Sequence, residues 1–530
     1  MVLPAALVPL RHPAFRLLWL ANLIGNTGLF VQNTAAGWLM TSLDPSPMMV
    51  SLVQAAALLP VFLLALPSGA LADILDRRLF LIAAQIWMSA VALLLVTLDI
   101  AGVLGPWGLI ACTFALGTGL AMSFPAWAAT TPELVPRDDL VPAIALNGIG
   151  YNLTRAVGPA IGGLLVAVAG TAAAFALNAA CLIAMAAALL LWRRERRVSR
   201  MPREHFLSAI RAGARFVSAA PPMQAAILRA VAFFLFTSAV WGLLPLLVRE
   251  QLRLGPDAFG LLLGAMGVGA VAAGFLLPAL RARLDRDGVV VAGSLLGAGA
   301  MVLLGLATHA AVAGLGMLLY GVAWISTAST LQAAAQMAAP AWVRARAIGI
   351  YQMCFFGALA LGSALAGWLG EHVGVAWAML LFSGGGAAAA LAVRRWSLME
   401  ASPRVAAPEV VLAQPAPAAA ELRALLHEGE NRVLEVVRYT IPAGRRAEFL
   451  MAMAETRRVR LRAGATTWRL YEDVAQPERF AELWVVESWA DHLREAARLT
   501  ETDRAVLATA AAFHAGDVPP EAARYVNVTP

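Results

Sequence analysis

The residue with the most chemistry to explain is Arg155, in the run NLTRAVGPAIGG at residues 152–163. It stands about half way along an apolar stretch of membrane-spanning length, where insertion of an arginine costs at least ~2.5–3.5 kcal/mol. A charge kept there faces protein, a water-filled cavity or a ligand. At roughly 100° per residue, Tyr151, Arg155, Gly158, Pro159 and Gly162 share one broad helical face. The guanidinium therefore points with the small residues, away from lipid. No Asp or Glu lies deep in an apolar run, since Asp73, Asp99 and Glu133 all fall near run ends. Its partner is an uncharged polar group, a carbonyl, an acid at a run end, or the cargo itself. An arginine without an acid favours an anionic or catechol-like cargo; a structural bridge between helices is the alternative role. Other polar residues in the runs, such as Asn147, Asn152, Asn178, Gln332, Gln336 and Gln352, either line a cavity or tie helices together.

The elements that must position these residues follow from composition. Of 530 residues, 60% are hydrophobic and 14% charged, with mean hydropathy +0.72. Soluble domains average roughly 25% charged, so this is a polytopic membrane protein. Twelve spans are read at about 14–40, 48–72, 79–99, 106–131, 141–169, 172–192, 224–248, 257–280, 288–308, 311–337, 346–370 and 374–395. The first continues from a longer helix without a cleavage-site pattern, so it is not a removable signal. The net charge of +7 does not point to nucleic acid, because the basic residues, all of them Arg, sit in loops between spans. Their bias toward one set of loops, including the cluster from Arg193 to Arg215, places both termini in the cytoplasm. Cys112, Cys181 and Cys354 lie within spans without metal-ligand spacing and are expected to be free thiols. No cofactor or metal is expected. No GxxxxGK[ST] loop is present, which disfavours ATP-driven transport.

The membrane part repeats. A shift of 204 lays Gly117 on Gly321, Pro136 on Pro340, Gly163 on Gly367 and Gly170 on Gly374. The expected organisation is a six-helix half at 1–192, a basic linker with an amphipathic helix at 193–223, and a second six-helix half at 224–396. An Ala/Pro-rich linker at 397–430 and a small cytoplasmic α+β domain at 431–530 follow. Two parallel repeats around a midplane substrate are the plan of a rocking transporter. The linker helix, with Phe206, Ile210, Phe216 and Val217 toward one side, is either a membrane-surface helix or a tether.

GALADILDRR, from Gly69 to Arg78, resembles the loop motif of the major facilitator superfamily. The resemblance implies a cytoplasmic gating latch of Gly69, Asp73, Asp76, Arg77 and Arg78. In it Gly69 permits close helix approach, Asp73 accepts hydrogen bonds from a helix N-terminus of the other half, and Arg77 pairs with Asp73. The corresponding LPALRARLDRD keeps Asp285 and Arg286 but lacks the glycine and the first acid. GPAIGG resembles the fifth-helix motif of facilitator antiporters, which implies a packing hinge at Gly158, Pro159, Gly162 and Gly163. The same residues also suit plain helix packing. In the family the first helix lines the cavity, so Asn22, Asn26 and Gln32 become neighbours of Arg155, with Asn152, Gln332 and Gln352 also on the substrate or coupling path. Trp38, Trp127, Trp241 and Trp324 either stack on an aromatic ligand or anchor at the interface. The helix-four arginine of many facilitator antiporters is replaced by Thr113, and helix one holds no acid, so proton coupling rests on the family resemblance.

In the tail, VLEVVRYTI, TTWRLYED, RFAELWVVES and ARYVNV alternate as strands, with helical spacing between them. The order βαββααβ suggests a ferredoxin-like antiparallel sheet. SWADHLREAARLTETDR, residues 488–504, resembles the antibiotic-biosynthesis-monooxygenase type of dimeric α+β barrel. Such tails accompany a facilitator branch that includes the enterobactin exporter group, which the spans also resemble. His492 and Trp489 invite a catalytic reading, but no set of acid, base and nucleophile is evident. A dimerising or regulatory module is preferred, with His492 on a helix surface. The resulting expectation is an all-α membrane protein of facilitator fold with a ferredoxin-like tail, and not an enzyme. It would be an inner-membrane antiporter exporting siderophore-like or drug-like amphipathic molecules by alternating access. Its partners are the small-molecule substrate, a proton, the lipid bilayer and a second copy through the tail. An importer of an anionic metabolite, or a fusion to an oxygenase-like enzyme, is the alternative.

Overall fold

The computed structural model describes residues 5–192, 206–340, 343–398, 432–489 and, with interruptions, 492–527. At some helical positions, Gly69 and Asp73 among them, only the backbone is described. Among the described residues, eleven helices are long and apolar enough to cross a bilayer. In chain order the membrane helices are α1 (Pro13–Leu43), α2 (Pro47–Ile74), α3 (Arg77–Ile100), α4 (Pro106–Leu134) and α5 (Leu140–Leu191). After the linker helix α6 (Phe206–Ala219) come α7 (Pro221–Leu246), α8 (Pro256–Arg281), α9 (Arg286–Gly305), α10 (Ala310–Ala338), α11 (Arg344–Val373) and α12 (Val375–Val393).

The count of eleven hides a twelfth span. α5 has 52 residues, about 78 Å at 1.5 Å per residue, against a hydrocarbon core of about 30 Å. It is broken at Gly170, whose φ of +81° and ψ of 176° are not helical. Gly374, between α11 and α12, has φ +86° and ψ 156°. The two glycines the repeat superimposes thus adopt one backbone shape that a side chain would disfavour.

The other repeated glycines mark close helix contacts. A Cβ at Gly117 would lie 2.6 Å from the Ala57 carbonyl on α2, and one at Gly321 2.9 Å from the Ala270 nitrogen on α8. A Cβ at Gly163 would lie 2.6 Å from the Gly260 Cα on α8, and one at Gly367 2.8 Å from the Pro47 carbonyl on α2. In each half, therefore, the fourth span presses on the second, and the fifth span presses on the second span of the opposite half. Helix starts are chemically marked. Pro13, Pro47, Pro106 and Pro256 occupy first-turn positions that need no N–H, and Ser46, Asp76 and Asp285 cap α2, α3 and α9.

The chain divides into two compact units, and α6 groups with the tail, not with the spans. The tail holds β1 (Val433–Thr440), α13 (Arg446–Ala463), β2 (Thr467–Glu472), β3 (Arg479–Val486), α14 (Glu501–Ala511) and β4 (Glu521–Val526). The sheet is antiparallel in the order β2-β3-β1-β4, the ferredoxin-like order. Val433 pairs with Val486 and with Val526, which fixes the inward face. Val433, Val437, Tyr439, Phe480 and Trp484 from the strands meet Phe449 and Met453 of α13 in one core. α6 packs on α13, Phe216 is fully buried, and Arg215 lies 3.5 Å from Glu487. Packing on the tail was neither of the two expected roles of this helix, and it is what Phe216 shows; Phe206 and Ile210 lie outside the described side chains.

Candidate functional site

Arg155 projects from α5 between two indoles of the second half. Its guanidinium carbon is 4.9 Å from the ring centre of Trp324 on α10 and 5.5 Å from that of Trp241 on α7. No hydrogen bond or carboxylate meets it among the described residues. A desolvated cation–π contact is worth ~2 kcal/mol or more, so the two indoles partly replace lost water. Trp324 also touches Phe233, Phe234, Trp241 and Tyr320, and the aromatic chain continues through Phe355 and Phe356 to Phe124 on α4. Tyr320 donates to the Thr237 carbonyl at 2.8 Å, which fixes its ring. Asn152, Arg155 and Pro159 face Trp241, Met266 and Gly267 across a crevice of about 10 Å³. That is room for about one water, so this is a closed form of the site.

Most of the other expected path residues are engaged elsewhere. Asn22 accepts from the Trp127 indole at 2.6 Å, and Gln32 accepts from Asn178 at 3.3 Å. Gln352 donates to Gln332 at 3.2 Å. Asn152 lines the crevice, but its amide donates to the Gly148 carbonyl of its own helix at 3.0 Å. Asn26 makes no hydrogen bond among the described residues. None of Asn22, Asn26, Gln32, Gln332 and Gln352 is hydrogen-bonded to Arg155. Tyr320, Phe233 and Phe234 were missed from sequence. Their signal was the four-residue spacing of Tyr320 with Trp324 and of Thr237 with Trp241, which puts each pair on one face.

Gly158, Pro159, Gly162 and Gly163 serve two neighbours. A Cβ at Gly158 would stand 2.6 Å from the Phe30 Cβ, and one at Gly162 3.0 Å from the Val31 Cα, both on α1. Gly163 meets α8 at Gly260, where a Cβ on Gly260 would also lie 2.8 Å from the Pro159 carbonyl. The stretch therefore locks α5 to its own half on one side and to the opposite half on the other.

At the α2–α3 turn, Asp76 caps α3 by accepting from the Arg78 and Leu79 backbone N–H groups at 3.0 and 3.3 Å. Arg78 donates to the Leu189 and Leu190 carbonyls at 2.9 and 2.7 Å, at the C-terminus of α5, where a cation opposes the helix dipole. Arg77 donates to Glu133 of α4 at 2.8 Å. The expected Arg77–Asp73 pair and the contacts of Gly69 lie outside the described side chains. In the second half, Arg229 is 1% exposed and donates to the carbonyls of Trp396 and Arg394 beyond α12, with Asp287 at 3.1 Å. The last span of each half is thus closed by an arginine from a neighbouring helix.

The tail holds a buried polar network. Glu482, fully buried on β3, accepts from Arg460 at 3.0 Å, from Trp468 at 3.0 Å and from the Tyr439 hydroxyl at 3.0 Å. Burial opposes the charge on Arg460, but Glu482 and Glu495 outweigh it and hold the guanidinium above its ordinary range. Burial and the Glu482 charge push the Tyr439 hydroxyl well up. His492 is not on an open helix surface; it lies against Glu435 with its side chain 12% exposed and stacks beside Trp489.

The profile of the family described as "Transmembrane secretion effector" matches residues 4–529. The enterobactin exporter EntS of Escherichia coli O1:K1 / APEC is 29% identical over 366 residues, covering 68% of this chain and 86% of that protein. The MFS-type transporter YfiS of Bacillus subtilis (strain 168) is 26% identical over 355 residues, covering 64% and 82%. Among solved structures, the nucleoside transporter NupG aligns with TM-score 0.62 at 11% identity, over 72% of this chain and 99% of that one. An inward-facing bacterial homologue of the lysosomal transporter spinster gives 0.58 at 14%, over 72% and 97%. The repeated halves, the facilitator fold of these structures and the match along nearly the whole length agree: this chain is a multi-pass transporter of the major facilitator type and belongs to the transmembrane secretion effector family.

Proposed function

We propose that the protein is a proton-coupled exporter of small amphipathic molecules, siderophore-like or drug-like, working by alternating access in the bacterial inner membrane with both termini cytoplasmic. The observation that carries the cargo class is Arg155 lodged between Trp241 and Trp324 without an acid. An aromatic ring bearing negative charge competes for both halves of that arrangement, stacking on the indoles while its anion meets the guanidinium. The export direction is supported by the exporter among the relatives. The glycines at 158, 162 and 163 act as the hinge on which α5 rocks against α8. Asp73, with Gly69, Asp76, Arg77 and Arg78, forms the gating latch, and Asn152 lies on the path beside Arg155. The tail dimerises two copies.

Transport assays in inverted vesicles, with and without a pH gradient, test this. ATP-independent accumulation of a catechol-bearing anion, driven by the gradient and reduced about tenfold or more in Arg155→Ala, is the expected result. Equal transport by wild type and Arg155→Ala would remove the cargo role. Accumulation only in right-side-out vesicles would reverse the direction.

A further inference from the structure

We propose that the tail domain binds one first-row divalent metal ion at Glu435, His492 and Glu495. Glu435 sits on the inward face of β1 between Val433 and Val437, and it is 6% exposed. Glu495 is 5% exposed. His492 and Glu495, three apart in helical backbone, present their side chains on one face toward Glu435. A ligand atom from each of the three lies within 4.8 Å of the other two. A metal with bonds of ~2.0–2.2 Å holds tetrahedral ligand atoms ~3.3–3.6 Å apart, so binding needs the ring of His492 to back away from Glu435 and the wider separations to close.

Hydrogen bonding points to a missing cation. Glu435 Oε1 and His492 Nδ1 are both buried and in direct contact, and among the described residues neither has a further hydrogen-bond partner. Buried carboxylate oxygens are almost always hydrogen-bonded or ligated. Among the described residues, the second oxygen of Glu435 is paired only with Arg524, at 3.8 Å, too far for a hydrogen bond. Glu495 receives long contacts only, from Arg460 at 3.4 Å and Trp484 at 3.3 Å, so its lone pairs are incompletely used.

Charge agrees. Three carboxylates, Glu435, Glu482 and Glu495, face two guanidiniums, Arg460 and Arg524. With a neutral imidazole the cluster keeps one negative charge. A proton on His492 neutralises that charge and a divalent ion overshoots it by one; either removes the excess negative charge. The donor set of one nitrogen and two oxygens suits Zn²⁺, Mn²⁺ or Fe²⁺. Outer partners that orient the ligands are already in place: the Trp484 indole on Glu495 and the Trp489 ring against His492.

The test uses untagged full-length protein in detergent, titrated with Zn²⁺ or Mn²⁺ alone at neutral pH, with bound metal counted after desalting and thermal unfolding followed in parallel. The expected result is about one ion per chain, a rise in Tm that chelation reverses, and affinity at least about tenfold weaker in Glu435→Gln and His492→Ala. Wild type that retains no ion, or a metal-dependent rise in Tm that persists in His492→Ala, overturns the site and leaves an ion pair between a protonated His492 and Glu435. Glu435→Gln keeps the volume of the side chain. If His492→Ala fails to fold, the wild-type count and this variant decide.

Discussion

Arg155 and Arg460 are both drawn against tryptophan rings, and their surroundings differ in one respect. Arg460 lies 3.6 Å over Trp484 and is answered by Glu482 at 3.0 Å and Glu495 at 3.4 Å. Arg155 has Trp241 and Trp324 and, among the described residues, no acid. The first is a cation met by two carboxylates inside a folded core. The second is a cation held by surfaces that bind it only partly, so a ligand with an anionic group and a flat face can displace what is there. A third arginine, Arg229, sharpens the contrast. It sits inside the membrane unit yet resembles Arg460, because carbonyls of Trp396 and Arg394 and the carboxylate of Asp287 surround it. Membrane burial therefore does not by itself leave an arginine without anions; the site of Arg155 does.

The largest effect should come from breaking the satisfied member. Arg460→Ala strands Glu482 and Glu495 in the tail core, and removing one partner of a buried ion pair destabilises by ~3–5 kcal/mol. Limited proteolysis of the full chain should release or degrade the tail. A Glu482→Gln change in the same background should recover part of the loss. Next, Gly163→Val forces a branched side chain into the Cα of Gly260. Overpacking at such a contact costs ~1–3 kcal/mol, and transport should fall with expression largely kept, read by vesicle uptake. Arg155→Ala should do the reverse of Arg460→Ala. No acid among the described residues is left behind, and the lost cation–π contacts, worth ~2 kcal/mol or more, are offset by removing a desolvated charge. The melting temperature should therefore fall less than in Arg460→Ala, while transport of an anionic aromatic cargo drops about tenfold or more. A large loss of stability with intact transport would make Arg155 a bridge and erase the comparison.

Smaller effects test the tail. Arg215→Glu turns the half-exposed pair with Glu487 into a repulsion, worth ~0–1 kcal/mol, and should raise protease access to α6. The smallest is pH-dependent. Burial lowers the pKa of His514, whose Nδ1 accepts from the Thr440 N–H at 2.9 Å. Its neutral form is favoured in the folded state, so its contribution is present above the unfolded value near 6.5 and lost as pH falls through the folded value. Unfolding of the tail followed by fluorescence should soften on acidification from about pH 6.5, and His514→Gln should flatten that slope.

Much of the fold was legible. The apolar runs, the 204-residue shift and the alternation of the tail strands are local patterns, and each came from one physical cause: the width of the bilayer, duplication, or a half-buried sheet. Even the break of α5 was readable from Gly170 lying under Gly374. The candidate site was half legible. The helical period turned Arg155 toward the small-residue face, but no local rule says which helix comes opposite. Asn22, Asn26 and Gln32 were sensible neighbours on polarity alone, and Asn22 instead answers Trp127 on α4 and Gln32 answers Asn178. His492 looked like a surface residue because its helix pattern is weak; its burial depends on Glu435, far back on β1.

The sequence by itself determined the spans, the two halves and the strand order, because hydrophobic transfer and period act on neighbouring residues along the chain. Only the tertiary structure decided what meets each buried charge. Arg155 received aromatic faces from α7 and α10, Arg229 the carbonyls beyond α12, and Arg460 two carboxylates. The reason is physical: desolvation requires each charge to be answered, but the requirement fixes a kind of partner, and packing selects which distant residue supplies it.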